Sequence, residues 1–217
     1  MPKPDKLTAS EKLLINILEK HGITPYRIPP SQNKGEESPD FEISIGSTST
    51  IWEVKEITEN SFEKSIEGEE YEESYSIESR KRLNKRVDKA VKQLSSFKAE
   101  NKPCIIAIMD NRSFFTKDLI LHDEIMLILA GRGHFSTDRD GQRHEIHRDK
   151  SRISGYGFIR AIALIYKETE EVVIFHNPNA TFPLTSPSFS AIFKNNYRLE
   201  KTERSLVWIK DLSSQIE

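Results

Sequence analysis

The stretch PDFEISIGSTSTIWEVKEI, residues 39–57, decides the fold of this chain. Phe41, Ile43 and Ile45 alternate with polar residues, and this period of two predicts a strand with one buried face. Residues 46–49 supply a turn, and residues 50–57 predict a second strand that pairs with the first. We therefore expect a β-hairpin at this point of the chain.

Three ionisable residues of the hairpin carry the functional signal. Residues two apart on a strand project to the same face, so Glu53 and Lys55 point together while Val54 points away. Asp40 begins the neighbouring strand and is expected close to Glu53. Two adjacent carboxylates repel unless a cation lies between them, and oxygen ligands of this kind suit Mg²⁺ or Mn²⁺. Beside such a metal, Lys55 would orient the attacking water or help to deprotonate it, and would stabilise charge on a phosphate.

The segments around the hairpin predict an α/β domain, with a mixed central sheet flanked by helices. Ser10 is the expected N-cap of the first helix. Helices are expected over 10–20, 78–97 and 119–129, strands over 102–110, 158–166 and 171–176, and a strand or helix over 206–212. Two polar excursions interrupt this order, an acidic insertion at 56–78 and a polar loop at 131–157. The acidic stretch 59–73 and the polar loop are expected to flank the functional cleft or to be mobile.

The composition fits one globular domain over residues 1–217. The chain is 36% hydrophobic and 30% charged, with a net charge of −2. No apolar stretch approaches the roughly 18 residues that a membrane span needs, which excludes an integral membrane protein. The single cysteine, Cys104, excludes an internal disulfide and is expected to be an inert core thiol. Because the first residues also lack the hydrophobic segment of a signal peptide, we expect a cytoplasmic protein.

The hairpin motif resembles the signature of the PD-(D/E)XK nuclease superfamily, which reads here as Pro39-Asp40 followed by Glu53-Val54-Lys55. The segment 10–22 is similar to the first helix of archaeal Holliday junction resolvases, in which a glutamate joins the metal site. The matching residue is Glu11. Family members also place a glutamine on the helix after the motif, and Gln93 is the candidate. The resemblance covers residues 10–110 and implies a restriction endonuclease-like core, here extended by extra C-terminal strands.

This resemblance implies a Mg²⁺- or Mn²⁺-dependent endonuclease that hydrolyses DNA, with RNA as an alternative substrate. Asp40, Glu53, the backbone carbonyl of Val54 and Glu11 would hold the metal, and Lys55 would act on the water. Restriction, repair and defence against foreign DNA are all compatible contexts. Junction specificity is not implied, because the acidic insertion departs from the compact resolvases. A homodimer is compatible with the sequence.

Basic residues recur at helical spacing on the helix predicted over 78–97. Arg82, Lys85, Arg86 and Lys89 are candidates for contacts with DNA phosphates. A solvated helix face produces the same pattern. The polar loop likewise contains histidines, His134, His144 and His147, that suit either a metal site or simple solvation.

Each candidate site residue has an alternative, structural role. Glu53 and Lys55 would form a surface ion pair of small energetic value, with Asp40 merely starting a turn. Glu11 would complement the dipole of the first helix, and Gln93 would be a polar flank of a core stripe. The runner-up function is accordingly a non-catalytic module on the same fold that binds nucleic acid or protein. Such a module would tolerate Lys55→Ala.

Overall fold

The computed structural model describes residues 6–32, 37–58, 72–97, 102–111, 121–141, 143–181, 184, 187–202 and 206–210. Four helices and ten strands are formed by these residues. The helices are α1 Ala9–Lys20, α2 Glu72–Ser96, α3 Leu121–Ala130 and α4 Pro187–Ile192. The strands are β1 Tyr26–Arg27, β2 Phe41–Ile45, β3 Thr48–Ile57, β4 Cys104–Asp110, β5 Gly133–Thr137, β6 Arg143–Arg148, β7 Ile159–Tyr166, β8 Glu171–His176, β9 Asn195–Lys201 and β10 Leu206–Lys210.

Eight of these strands form one mixed sheet in the order β1-β2-β3-β4-β7-β8-β9-β10. The expected hairpin is present, because β2 and β3 pair antiparallel. Strands β3, β4 and β7 then run parallel, and β8 returns antiparallel to β7. The predicted α/β class with a mixed central sheet is confirmed, and the C-terminal strands continue this same sheet.

Helices cover both faces of the sheet. Helices α2 and α3 pack on the face that contains Ile51 and Ile57 of β3. Helices α1 and α4 pack on the opposite face, which contains Trp52 and Val54. Because successive side chains alternate, the residues between Ile51 and Ile57 with odd numbers also project toward α2. Buried acidic and basic groups therefore enter an otherwise apolar layer beneath α2.

The first helix begins earlier than expected and has a different cap. Thr8, not Ser10, is the N-cap: its Oγ1 accepts a hydrogen bond from the Glu11 N–H at 3.2 Å. The Glu11 carboxylate accepts one in return from the Thr8 N–H at 2.6 Å. This reciprocal pair is a capping box, which satisfies two backbone donors that the helix cannot satisfy internally.

Both polar excursions were partly misassigned. Helix α2 begins at Glu72 instead of residue 78, and residues 56 and 57 belong to β3, so the acidic insertion is shorter than predicted. Residues 59–71 of the insertion lie outside the described residues. The segment 131–157 is not simply a loop, because β5 and β6 pair as an antiparallel hairpin and Ile153 is fully buried. Charged residues and histidines fill the strands of this exposed ribbon, so the hydrophobic alternation that reveals a strand is missing.

The sequence analysis did not predict three short elements. The two-residue β1, the six-residue α4 and the polar strand β9 carry too few apolar residues for a periodic signal. The ambiguous segment near residue 206 is the strand β10. Within the described residues, no helix combines the length and the apolar composition that crossing a membrane requires.

Candidate functional site

Asp40 lies just before β2 and contacts β3 next to Glu53. In the β2–β3 register Phe41 is opposite Trp52 and Glu42 is opposite Ile51. Asp40 precedes β2, and its N–H bonds to the Trp52 carbonyl, so the regular pairing of the two strands ends at Phe41. Both carboxylates are buried, Asp40 at 6% exposure and Glu53 at 0%.

Asp40 is fixed by the backbone of β3. Its Oδ2 accepts a hydrogen bond from the Val54 N–H at 2.7 Å, and its own N–H donates to the Trp52 carbonyl at 3.1 Å. The Ile51 N–H and the Ile57 carbonyl both bond to groups at β4. Val54 is an odd number of residues from each, so its N–H and carbonyl point the other way, toward β2. The Val54 carbonyl thus lies on the Asp40 side of β3.

Lys55 joins the hairpin to helix α2. Its ammonium donates to Oε1 of Glu53 and, at 3.1 Å, to Oε1 of Gln93. The Gln93 amide Nε2 donates in turn to the Ser38 carbonyl at 2.7 Å. We call Asp40, Glu53, Lys55 and Gln93 the hairpin site. The ion pair predicted as the plainer alternative does form, but it is buried rather than superficial, with side-chain exposures of 11% and 1%.

The oxygen donors of the hairpin site are of the kind that a hard divalent cation binds. Asp40 and Glu53 bring two buried carboxylates to adjoining positions, and Val54 adds a backbone carbonyl. Among the described residues, no group of three or more histidine, cysteine or acidic side chains is arranged to hold a metal. Mg²⁺ does not need such a cage, because it keeps several waters and binds proteins through one or two carboxylates. Asp40, Glu53 and the Val54 carbonyl fit that donor set.

Glu11 lies at the start of α1, where its carboxylate bonds to the Thr8 N–H. Its carboxylate serves the capping box, and α1 packs on the opposite face of the sheet. The acid that meets α1 is Glu56, which accepts hydrogen bonds from the Ser10 hydroxyl at 3.2 Å and from the Asn111 amide at 2.8 Å. The dipole-complementing alternative for Glu11 agrees with this arrangement.

Two acids next to the motif in the sheet were missed by the sequence analysis. Glu56, which is half-buried on the opposite face, is one, and Asp110, at the end of β4, is the other, with 6% exposure. Asp110 is opposite Ile57 in the β3–β4 register, and Ile108 of the same face is opposite Lys55. A polar residue that ends an apolar strand was the available signal for Asp110, because parallel strands end at a common edge.

Three of the four basic candidates line one flank of α2. Lys89, Arg86 and Arg82 precede Gln93 by four, seven and eleven residues, a spacing that keeps them on its side of the helix. We call these three residues the basic flank. Arg82 also donates to the Thr58 carbonyl at 2.9 Å, just beyond the end of β3. Lys85 is exposed and falls outside this spacing, on the solvent side of the helix.

A separate polar cluster lies on the β5–β6 ribbon. His134 Nε2 is 3.1 Å from one oxygen of Asp149, and His147 Nε2 is 3.5 Å from the other. The hydrogen bond from His134 lowers the pKa of the Asp149 carboxyl. All three side chains are about half exposed or more. The side chain of His144 lies outside the described residues.

Two further pKa shifts belong to residues with structural roles. Burial raises the pKa of the Cys104 thiol to about 12, in keeping with an inert core cysteine. Hydrogen bonds from Lys102 and Ser49 lower the pKa of Glu42, which lies next to the hairpin site on β2.

Comparison of the chain with known protein families, with curated proteins and with solved structures gives no match in any of the three, so its function must be inferred from the hairpin site.

Proposed function

We propose that this chain is a metal-dependent phosphodiesterase of the endonuclease type, which hydrolyses DNA with Mg²⁺ or Mn²⁺ on a restriction endonuclease-like core. One observation carries the proposal. The PD…EVK motif folds so that the Asp40 carboxylate bonds to β3 beside Glu53, the lysine contacts the glutamate, and a glutamine from the next helix contacts the lysine.

The protein groups have distinct roles in this proposal. Asp40, Glu53 and the Val54 carbonyl would hold the cation, which would supply Lewis acidity and a water of lowered pKa. Asp40 is held in place by the Val54 N–H, so its carboxylate needs little reorganisation. Lys55 is held between Glu53 and Gln93, where its ammonium can orient a water or stabilise a phosphate oxygen.

The basic flank supplies the contacts that hold the substrate. Lys89 and Arg86 precede Gln93 on its own side of α2, and Gln93 touches Lys55. A phosphate backbone that follows this flank would pass beside the hairpin site. Such contacts are electrostatic and independent of sequence, and they weaken as salt is added.

A cleavage assay tests the proposal. Supercoiled plasmid, linear duplex and single-stranded oligonucleotides are incubated with the wild-type protein in Mg²⁺, in Mn²⁺ or in EDTA. We expect cleavage of at least one DNA substrate with either metal and none in EDTA. Intact substrates in every metal condition, from protein that is shown to be folded, would contradict the proposal.

A second candidate is the non-catalytic binding module, and the buried Lys55–Glu53 pair favours it. A structural ion pair on the same fold would show this geometry without any metal chemistry. Lys55→Ala discriminates between the two candidates. In a nuclease it abolishes cleavage while DNA binding persists through the basic flank, whereas a binding module cleaves nothing and binds equally well in both forms.

A further inference from the structure

Two aromatic side chains are exposed beside the hairpin site. Tyr26 of β1 is 61% exposed, and Phe97, just after α2, is 39% exposed. Within the described part of the chain, the only other large apolar side chains with comparable exposure are Ile146 and Tyr156. Single exposed aromatics are ordinary on protein surfaces, so their position decides whether they matter.

Tyr26 projects from the face of the sheet that carries Glu53 and Lys55. It is opposite Glu42 in the β1–β2 register, and Glu42 is opposite Ile51 in the β2–β3 register. Ile51 packs beneath α2, so all three residues share the face of Glu53 and Lys55. With strands about 5 Å apart and residues of one face about 7 Å apart along a strand, the Cα atoms of Tyr26 and Asp40 are about 8 Å apart.

Phe97 lies at the end of α2, which covers this face of the sheet. Its N–H donates to the Gln93 carbonyl at 3.1 Å, so it lies one helical turn after Gln93 on the same flank of α2. The Gln93 side chain reaches the Ser38 carbonyl, and Lys102 donates to Glu42 at 2.7 Å. The chain on both sides of Phe97 therefore contacts β2 or the residues just before it, next to the strand that carries Tyr26.

The hairpin site thus lies between two different surfaces. The basic flank precedes Gln93 along α2, and the pair Tyr26 and Phe97 lies on the other side, toward β1. Proteins that bind single strands combine a basic track for the backbone with aromatic side chains on which the bases stack. The bases of a duplex are already stacked on each other and would gain nothing from these rings.

We propose that Tyr26 and Phe97 stack on unpaired bases, and that the substrate of the hairpin site is single-stranded DNA. This inference rests on the proposed nuclease function and names its substrate class. The burial of the carboxylates also favours a single-stranded substrate. Asp40 and Glu53 are 6% and 0% exposed, and a flexible extended strand reaches a buried site more readily than a rigid duplex.

Binding measured without cleavage tests the stacking surface. Fluorescence anisotropy in EDTA compares labelled oligo(dT) with a blunt duplex of the same length. We expect the wild type to bind oligo(dT) at least tenfold more tightly. Tyr26→Ala and Phe97→Ala should each weaken that binding about tenfold and leave duplex binding unchanged. Tyr26→Phe should bind like the wild type, because it keeps the ring. The matched control is Tyr156→Ala, which removes an exposed aromatic from the turn before β7 and should change nothing.

A second readout avoids dependence on truncated side chains. Tyr26→Trp places an indole at the same exposed position, and stacking of oligo(dT) on it should quench its fluorescence, above the background of the two native tryptophans. Equal affinity for duplex and oligo(dT), or an equal loss in Tyr26→Ala and Tyr156→Ala, would overturn the inference. Tighter binding of oligo(rU) than oligo(dT) would overturn the assignment to DNA. Metal-dependent duplex cleavage without single-strand preference would remove this inference alone, whereas single-strand binding without any cleavage would remove the nuclease proposal.

Discussion

Replacing Lys55 by methionine should expose how the hairpin site balances its charges. The substitution keeps the length of the side chain but leaves Asp40 and Glu53 without the ammonium that lies between Glu53 and Gln93. Removing one partner of a buried ion pair costs about 3–5 kcal/mol. Lys55 retains 11% exposure, so the lower end applies, and we expect a loss of about 3 kcal/mol in EDTA. For a chain of this length that loss corresponds to a Tm lower by about 6–12 °C.

Mg²⁺ should reverse much of this loss. A cation that binds only the folded state at about a hundred times its dissociation constant stabilises that state by about 2.7 kcal/mol. The assay is urea or thermal unfolding of the wild type and Lys55→Met, each with EDTA and with Mg²⁺. The matched control is Lys20→Met, because the Lys20–Glu170 pair is exposed at 61% and 49% and contributes only about 0–1 kcal/mol.

Two results would refute this reasoning. If Lys55→Met is no less stable than Lys20→Met, the ion pair at the hairpin site contributes nothing that burial would require. If Mg²⁺ stabilises neither the wild type nor Lys55→Met, Asp40 and Glu53 do not form a cation site.

Three further predictions concern residues around the site. The double variant Arg86→Ala/Lys89→Ala should reduce the slope of log affinity for oligo(dT) against log salt by about 1.4, because each phosphate contact to a single strand contributes about 0.7. The control Lys92→Ala, on the solvent side of α2, should reduce that slope less. At pH 8 Cys104 should react with a thiol reagent only as fast as the protein unfolds, because burial raises its pKa to about 12; fast labelling of folded protein would contradict this. Because folding lowers the pKa of Glu42, its ionised carboxylate stabilises the fold at pH values above its ordinary pKa of 4.5. That stabilisation is lost as the pH falls through the pKa of the folded state. Glu42→Gln should therefore flatten the fall in stability with decreasing pH over this range.

The β2–β3 hairpin was predictable because β2 shows its period directly and a short turn joins it to the next strand. Phe41, Ile43 and Ile45 mark one face, and any register that buries them fixes the face of their neighbours. That register places Glu53 and Lys55 on the face opposite to Phe41 and Trp52. What the sequence did not reveal is the depth of burial, which depends on α2 covering the site from a distant part of the chain.

Other features depended on choices that local patterns leave open. Both Ser10 and Thr8 are good N-caps, and the spacing from Thr8 to Glu11 was the signal that favours Thr8. The first turns of α2 are rich in charge and lack an apolar stripe, so periodicity carried no signal for a start at Glu72. The division of the basic residues into a flank beside Gln93 and the outward Lys85 required knowing which side of α2 faces the site.

The central claim is that Asp40 and Glu53 perform metal-dependent hydrolysis of DNA. Single-turnover cleavage by Glu53→Gln, compared with Glu42→Gln, tests it most directly. Both changes remove one carboxylate charge from neighbouring strands on the same face, but Glu42 is bound by Ser49 and Lys102 outside the hairpin site. We predict that Glu53→Gln lowers the Mg²⁺-dependent rate by at least about a thousandfold, which corresponds to about 4 kcal/mol of transition-state stabilisation, while Glu42→Gln stays within a few-fold of the wild type. Equal rates for folded Glu53→Gln and wild type would contradict the account.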